Sequence, residues 1–457
     1  MTIASADLTA AQPLSLPNLL AFSTPGLCIG ALSIAMTVYL PRYYAGHYGL
    51  GLALVGAAFG GVRLTDTLFD SFVGVAMDKT RTRLGRFRPW MMLGAPAMML
   101  AMFLLFNPPV AVSLSYLVVC LIVYYVANSL ILLSHYAWAS AVAVNSHDRS
   151  RVFGVMQMVA TLGAIAILLL PIVLTKMGHG KPGYHMSAMG WFIFAIAPLG
   201  IALAAMTTRD PAPRGAPNPG FTLANYLKMA MRPDMLRIIM AEFCLNLGPG
   251  WMSALYLFFF HDARGFSFAE ANVLLLIYIC ASVLGAAGMG WLATRLGKHR
   301  TLMTSSTIYS LGLVVMVFLP KGMFGLVAVF MFMQGFVASS FILLNRAMVA
   351  DVGDAVRLES GRNDISLLYS MITTAQKIAL ALSITLSFLA LSLIGYQAKE
   401  GATNTPEAIF GMQLVYVIGP VFFVMLGGAC FIGYELNAKR HAEIRATLDS
   451  RDAAAAV

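Results

Sequence analysis

The stretch RLTDTLFDSFVGVAMDKTRTRLGRFRPW, residues 63–90, starts as an apolar helix that carries charge and ends in a run of basic residues. Its last part, Arg83-Leu84-Gly85-Arg86-Phe87-Arg88, returns as Arg295-Leu296-Gly297-Lys298-His299-Arg300. The shared pattern is basic-Leu-Gly-basic-aromatic-Arg, and each copy follows the second long apolar run of its half of the chain. Such an internal repeat marks a duplicated unit, and duplicated membrane carriers commonly bind their cargo between the repeats near the bilayer midplane.

Working outward, long apolar runs occupy about 18–43, 52–77, 89–107, 112–143, 152–175 and 188–207, then 238–260, 268–294, 302–319, 324–349, 365–394 and 408–434. Each is long enough for the roughly 20 residues that cross a bilayer as helix. None shows the period-two alternation of a transmembrane strand. The 457 residues are 59% hydrophobic and 11% charged, with mean hydropathy +0.78. A soluble domain carries about 25% charged residues, so this chain needs lipid as part of its solvent. The expected fold is an all-α membrane protein with twelve transmembrane helices in two pseudo-symmetric six-helix bundles. The expected divisions are residues 1–207, a proline-rich polar linker at 208–237, residues 238–434, and a polar tail at 435–457. No basic leader with a small-residue cleavage site opens the chain, so no cleaved signal peptide is expected.

The net charge of +10 does not point to nucleic acid, because the basic residues sit in short loops between apolar runs. With both termini cytoplasmic, 21 Lys and Arg fall on the cytoplasmic side. Six (Arg42, Lys176, Lys181, Arg264, Lys321 and Lys399) fall outside, and three (Arg63, Arg346 and Lys377) lie at membrane depth. That bias orients the chain, and a bacterial inner membrane is the expected location. All five cysteines lie inside apolar runs without metal-ligand spacing, and read as packing residues. No HExxH, GxSxG or Walker pattern is present, which disfavours an enzyme. No metal or cofactor is expected.

A charge at bilayer depth is expensive unless paired or hydrated, so each is a candidate functional group. Arg63, Asp66 and Asp70 are spaced i, i+3 and i+7 and share one helical face. Two carboxylates four residues apart repel, so one tends to hold a proton unless a cation lies between them. The alternative is a structural ion pair with Arg63. Lys377 has no acid nearby in sequence, so its partner comes from another helix, with Asp66 or Asp70 the natural candidates; snorkelling to an interface is the alternative. Arg346 reads either as a substrate contact or as a local partner of Asp351 and Asp354. Glu242 and His135 each read as cavity or packing groups. Tyr136 and Trp138 are candidates to stack on a sugar, although aromatic residues in helices also serve plain packing. Thr373 joins this substrate set. Asp78 reads as a gate residue or as part of a topogenic loop, and the gating set is Asp78, Arg83, Arg149, Asp351, Asp354 and Arg362.

The run Arg63-x-x-Asp66-x-x-x-Asp70-x-x-x-Gly74-x-x-x-Asp78-x-Thr80-Arg81-x-Arg83-x-Gly85-Arg86-Phe87-Arg88-Pro89-Trp90 resembles the signature of the glycoside–pentoside–hexuronide:cation symporter family of the major facilitator superfamily. Tyr43-Tyr44 with Gly49-Leu50, Ala350-Asp351-x-x-Asp354 with Gly361-Arg362-x-Asp364, and Gln376-Lys377 extend the resemblance into both halves. It implies alternating access, a cation site at Asp66 and Asp70, and Lys377 beside that site. The departures are informative. Phe69 stands where a sodium-using member has an Asn ligand, and the helix-4 hydroxyl ligand is missing if Ile131 or Leu132 takes its place. Proton coupling is therefore expected over sodium. Gly30 and Ser134 fall where galactoside-binding carboxylates stand, Val159 where an Arg stands, and Ile342 where an aromatic stands. A galactoside is thus disfavoured, and Arg346 leaves room for a uronide. The expectation is a monomeric carrier in the lipid bilayer, working on a small sugar-like substrate without nucleic acid. A lysolipid or other amphiphile is the second candidate.

Overall fold

The computed structural model describes residues 14–143, 146–178, 182–208, 223–361, 365–436 and 438–455. Twelve helices are long and apolar enough to cross a membrane. The first six are α1 (Leu16–Gly46), α2 (Leu52–Lys79), α3 (Arg88–Phe106), α4 (Leu114–Val142), α5 (Ser146–Lys176) and α6 (Pro182–Thr207). The second six are α7 (Pro233–Ala263), α8 (Phe268–Leu296), α9 (Lys298–Phe318), α10 (Phe324–Ser360), α11 (Ile365–Leu393) and α12 (Pro406–Ala429). A short helix, Leu223–Ala230, precedes α7, and a polar tail helix spans Ala438–Ala455. No strand is present among the described residues. Helices satisfy their backbone groups internally, as hydrocarbon requires.

The duplication is visible in the packing. α1 packs on α5 as α7 packs on α11, α2 on α4 as α8 on α10, and α3 on α4 and α6 as α9 on α10 and α12. Each repeat motif holds a glycine at positive φ, Gly85 at φ +106° in the turn after α2 and Gly297 at φ +89° at the end of α8, where a side chain would be strained. The halves meet along α2 and α11, along α5 and α8, and where α1 meets α7. Gly56 and Gly60 make the α2–α11 approach possible: a Cβ at Gly60 would collide with Thr385 Oγ1, and Thr385 Oγ1 donates to Gly56 O at 2.9 Å. Small residues that let two backbones close in are the usual device where lipid removes the hydrophobic drive.

Two boundaries differ from the sequence reading. The apolar run of the tenth span ends at 349, yet α10 continues to Ser360, capped by left-handed Gly361. Asp351 and Asp354 therefore lie on a helix, where Lys298 and the tail residues His441 and Arg445 pair with them. The tail is not merely polar but folds as a helix that buries Ile444 and Leu448.

Candidate functional site

α2 and α11 run antiparallel, so the contact that starts at Gly56 and Thr385 carries down to Asp66, Asp70 and Lys377. Lys377 Nζ closes directly on Asp70 and lies 4.0 Å from Asp66 Oδ2. Lysine comes from one half and both carboxylates from the other. Asp66 is 8% exposed and accepts a hydrogen bond from Ser129 Oγ of α4 at 2.7 Å. Asp70 Oδ1 is buried without a hydrogen-bond partner among the described residues. Arg63 sits within electrostatic reach of Asp66, Lys377 and Tyr125 but forms no ion pair among the described residues. One ammonium thus faces two carboxylates, with the Arg63 guanidinium within electrostatic reach.

Ser129 is the residue that the sequence reading missed. That reading looks for the helix-4 hydroxyl at Ile131 or Leu132, two or three positions further along, and both are apolar. Ser129, turned to another side of the helix by that offset, gives its hydroxyl to Asp66. Phe69, partly buried, packs against the apolar core and supplies no oxygen.

The remaining candidates divide. Thr373 lies one turn before Lys377 on α11 and is exposed. Tyr136 is 41% exposed and stands within electrostatic reach of Arg346, which is also exposed, on the other half. Tyr136 and Arg346 thus approach each other across the two halves. Trp138 and His135 do not. Both are 0% exposed; Trp138 packs edge-on against Phe22 and under Arg88, and His135 Nε2 pairs with Phe22 O at 2.9 Å. On α4 they point into the bundle, and Tyr136, between them, points out. Arg346 has no ion pair among the described residues, because Asp351 is taken by Lys298 at 2.7 Å and Asp354 by His441 and Arg445 of the tail helix.

Behind Arg346 lies a second carboxylate that the sequence left open. Glu242 of α7 is 1% exposed; Asn345 Nδ2 donates to it at 2.5 Å and Asn246 Nδ2 at 3.1 Å. Asn246 Oδ1 accepts from Gln376, the neighbour of Lys377, at 3.2 Å. Both oxygens of the carboxylate are thus engaged, and Arg346 lies within electrostatic reach.

The two ends of the molecule differ. At the end opposite the termini, Arg42 pairs with Asp262 at 2.7 Å, Tyr39 donates to Asn272 at 2.5 Å, and His47 pairs with Glu400 at 3.0 Å. All three link one half to the other. Tyr396 adds a hydrogen bond to Asp262 at 2.7 Å; burial, and then the Asp262 carboxylate, hold its phenol well above the ordinary tyrosine range, so it remains a donor. The first helix of each half widens into a π turn here, Ala35–Tyr39 in α1 and Phe258–Ala263 in α7, a departure from regular helix often found at functional sites. At the terminal, strongly basic end, no ion pair crosses between the halves among the described residues. Arg83 and Arg149 are exposed there without ion-pair partners among the described residues. Arg362 and the side chain of Asp78 lie outside the described residues. Among the described residues, ion pairs thus join the halves at the end opposite the termini and none joins them at the basic end.

Known proteins resemble the chain along most of its length. It is 21% identical over 426 residues to a glucuronide carrier protein homolog of Escherichia coli, covering 91% of each chain. It is 22% identical to the sodium-dependent lysophosphatidylcholine symporter 1 of Xenopus tropicalis, covering 84% of this chain and 81% of that one. The fold matches the crystal structure of a mutant of the nucleoside transporter NupG with a TM-score of 0.70 at 12% identity, over 92% of this chain and 99% of that one. The family model described as MFS/sugar transport protein matches residues 21–438. The chain belongs to that family, and it is a membrane transporter of the major facilitator type, not an enzyme.

Proposed function

We propose that this carrier performs proton-coupled symport of a glycoside, oligosaccharide or uronide by alternating access. The observation that supports the reading best is the Asp66–Lys377–Asp70 group, which ties one half to the other through a titratable contact. Asp66 and Asp70 take the proton, and Lys377 senses it. A proton arriving at Asp70 cancels the carboxylate that holds Lys377, and the contact between halves loosens. Arg63 keeps the pair from holding two protons at once. Arg346, Tyr136 and Thr373 meet the substrate, with Arg346 suited to a uronide carboxylate. The basic face is cytoplasmic, in a bacterial inner membrane, and the unit is a monomer. Two carboxylates and the Ser129 hydroxyl make a sparse cage for sodium, and Phe69 closes the position where a further oxygen would stand.

The test is proton uptake by proteoliposomes, read with a pH-sensitive dye as glycosides, uronides and lysolipids are added with and without sodium. Alkalinisation driven by a sugar, independent of sodium and absent in Asp70→Asn, is expected. Full uphill accumulation in Asp70→Asn sinks the reading. A second reading, cation-coupled carriage of a lysolipid or other amphiphile, draws on the similarity to the lysophosphatidylcholine symporter. A response to lysolipids alone selects it.

A further inference from the structure

Of the charged groups that the sequence places at membrane depth, Arg63 and Lys377 stand with Asp66 and Asp70. That leaves Arg346 of α10 and Glu242 of α7, one cation and one anion on helices of the second half that pack on each other.

The chain sets these two on opposite sides of one wall. Asn345 and Arg346 are consecutive on α10, so their side chains leave the helix about 100° apart. Asn345 is 0% exposed and Arg346 is exposed. The Asn345 amide reaches inward to Glu242 at 2.5 Å, while Arg346 stands within electrostatic reach of Tyr136 on the other half. Glu242 is fixed where it lies. Asn345 Nδ2 holds one carboxylate oxygen, Asn246 Nδ2 holds the other at 3.1 Å, and Gln376 of α11 holds Asn246 in turn at 3.2 Å. Two amide donors and a nearby guanidinium are what a buried, ionised carboxylate needs.

No ion pair joins Glu242 to Arg346 among the described residues, and no hydrogen bond there takes the guanidinium donors. Arg346 therefore keeps its N–H groups for a ligand, while its charge is already balanced by a carboxylate held behind it. The balance bears on the charge of the ligand. Sugar hydroxyls accept N–H bonds without bringing charge. A carboxylate placed on Arg346 brings a second negative charge toward Glu242, and away from bulk water like charges repel strongly.

We propose that Glu242 sets the charge selectivity of this carrier: held behind Arg346, it makes the substrate contact favour an uncharged glycoside over a uronide of the same shape. Arg346 alone suits a carboxylate; Arg346 backed by Glu242 suits a neutral sugar. This selectivity rests on the reading of Arg346 as a substrate contact and narrows it. Glu242 acts through Arg346 and does not touch the substrate.

The test uses the full-length protein in lipid nanodiscs, with calorimetry of methyl glucoside and methyl glucuronide. The readout is the ratio of their two dissociation constants. The native protein is expected to bind the glucoside at least about tenfold more tightly. Glu242→Gln and, independently, Glu242→Met remove the charge, and each is expected to move the ratio toward the glucuronide about tenfold, equivalent to about 1.4 kcal/mol. Glu242→Asp keeps the charge and is expected to hold the native ratio within about threefold, even where both sugars bind more weakly. Arg346→Gln is expected to move the ratio about tenfold the other way, and Glu242→Gln/Arg346→Gln to bring it back within about threefold of native. A purely structural Glu242 weakens both sugars alike, so a ratio that stays put in the neutral variants overturns the proposal. So does a native preference for the glucuronide. No binding of either sugar to the native protein overturns the proposal together with the sugar reading. The expected ratio shifts without proton-coupled uptake in proteoliposomes sink the coupling alone and leave the charge selectivity standing.

Discussion

The sealed face, opposite the termini, and the basic face are ends of the same duplicated unit, yet among the described residues ion pairs cross between the halves at the sealed face alone. At the sealed face charges are few and complementary, so Arg42 of one half finds Asp262 of the other, and the segment 394–405 reaches across to set Glu400 N on Gly46 O at 3.0 Å. At the basic face both repeats bring the same sign, through Arg83, Arg86 and Arg88 on one side and Arg295, Lys298 and Arg300 on the other. Like charges do not latch. Among the described residues the ion-paired carboxylates there are used within one half or its flanks: Asp351 with Lys298, Asp354 with the tail, Glu359 with Arg232, and Asp148 with Arg151.

The comparison can be broken most severely at its shared centre. Lys377→Gln removes the ammonium that both Asp66 and Asp70 face and leaves Arg63, which forms no ion pair with them among the described residues. Removing one partner of a buried pair costs about 3–5 kcal/mol, so we expect pH-driven accumulation in vesicles to fall more than about a hundredfold. Next comes the α2–α11 seam. Gly60→Leu puts a side chain into Thr385 and the α11 backbone, and overpacking of this kind costs about 1–3 kcal/mol; we expect a lower melting temperature together with greater labelling of a cysteine placed at the sealed face. The latch is expected to give about a tenfold effect, within the usual range of conformational couplings. Arg42→Gln or Asp262→Asn raises that same labelling, and the exchanged pair Arg42→Asp/Asp262→Arg brings it back; an unchanged rate in both single variants means that this pair does not hold the face shut. The smallest effect belongs to the basic face. Asp354→Asn frees the tail helix from a partly exposed ion pair worth about 1 kcal/mol at most, so the melting temperature should move little and transport should stay within about twofold.

The number of spans, the duplication and the charged face of α2 were legible because they depend on composition and on helical period alone. Lys377 was legible as an orphan cation, though the sequence named two possible partners and could not say that it closes on Asp70 while standing off Asp66. Ser129 was not legible, since a hydroxyl inside an apolar helix carries no signal until a carboxylate of another helix lies against it. His135 and Trp138 looked as eligible as Tyr136, because one residue of helical rotation separates a cavity wall from a packed interior. Glu242 looked isolated, and its amide partners come from positions 103 and 4 residues away, the first on another helix.

By itself, the sequence determined that this protein crosses a membrane about twelve times, that it is built twice over, and that charge is buried in its second and eleventh spans. Those facts follow from local period and from the cost of charge in hydrocarbon, which no packing can change. Only the tertiary structure decided which groups meet. The Lys377–Asp70 contact and the Arg42–Asp262 latch each join residues from different halves, and distances of this kind are set by how helices pack, not by where residues fall along the chain.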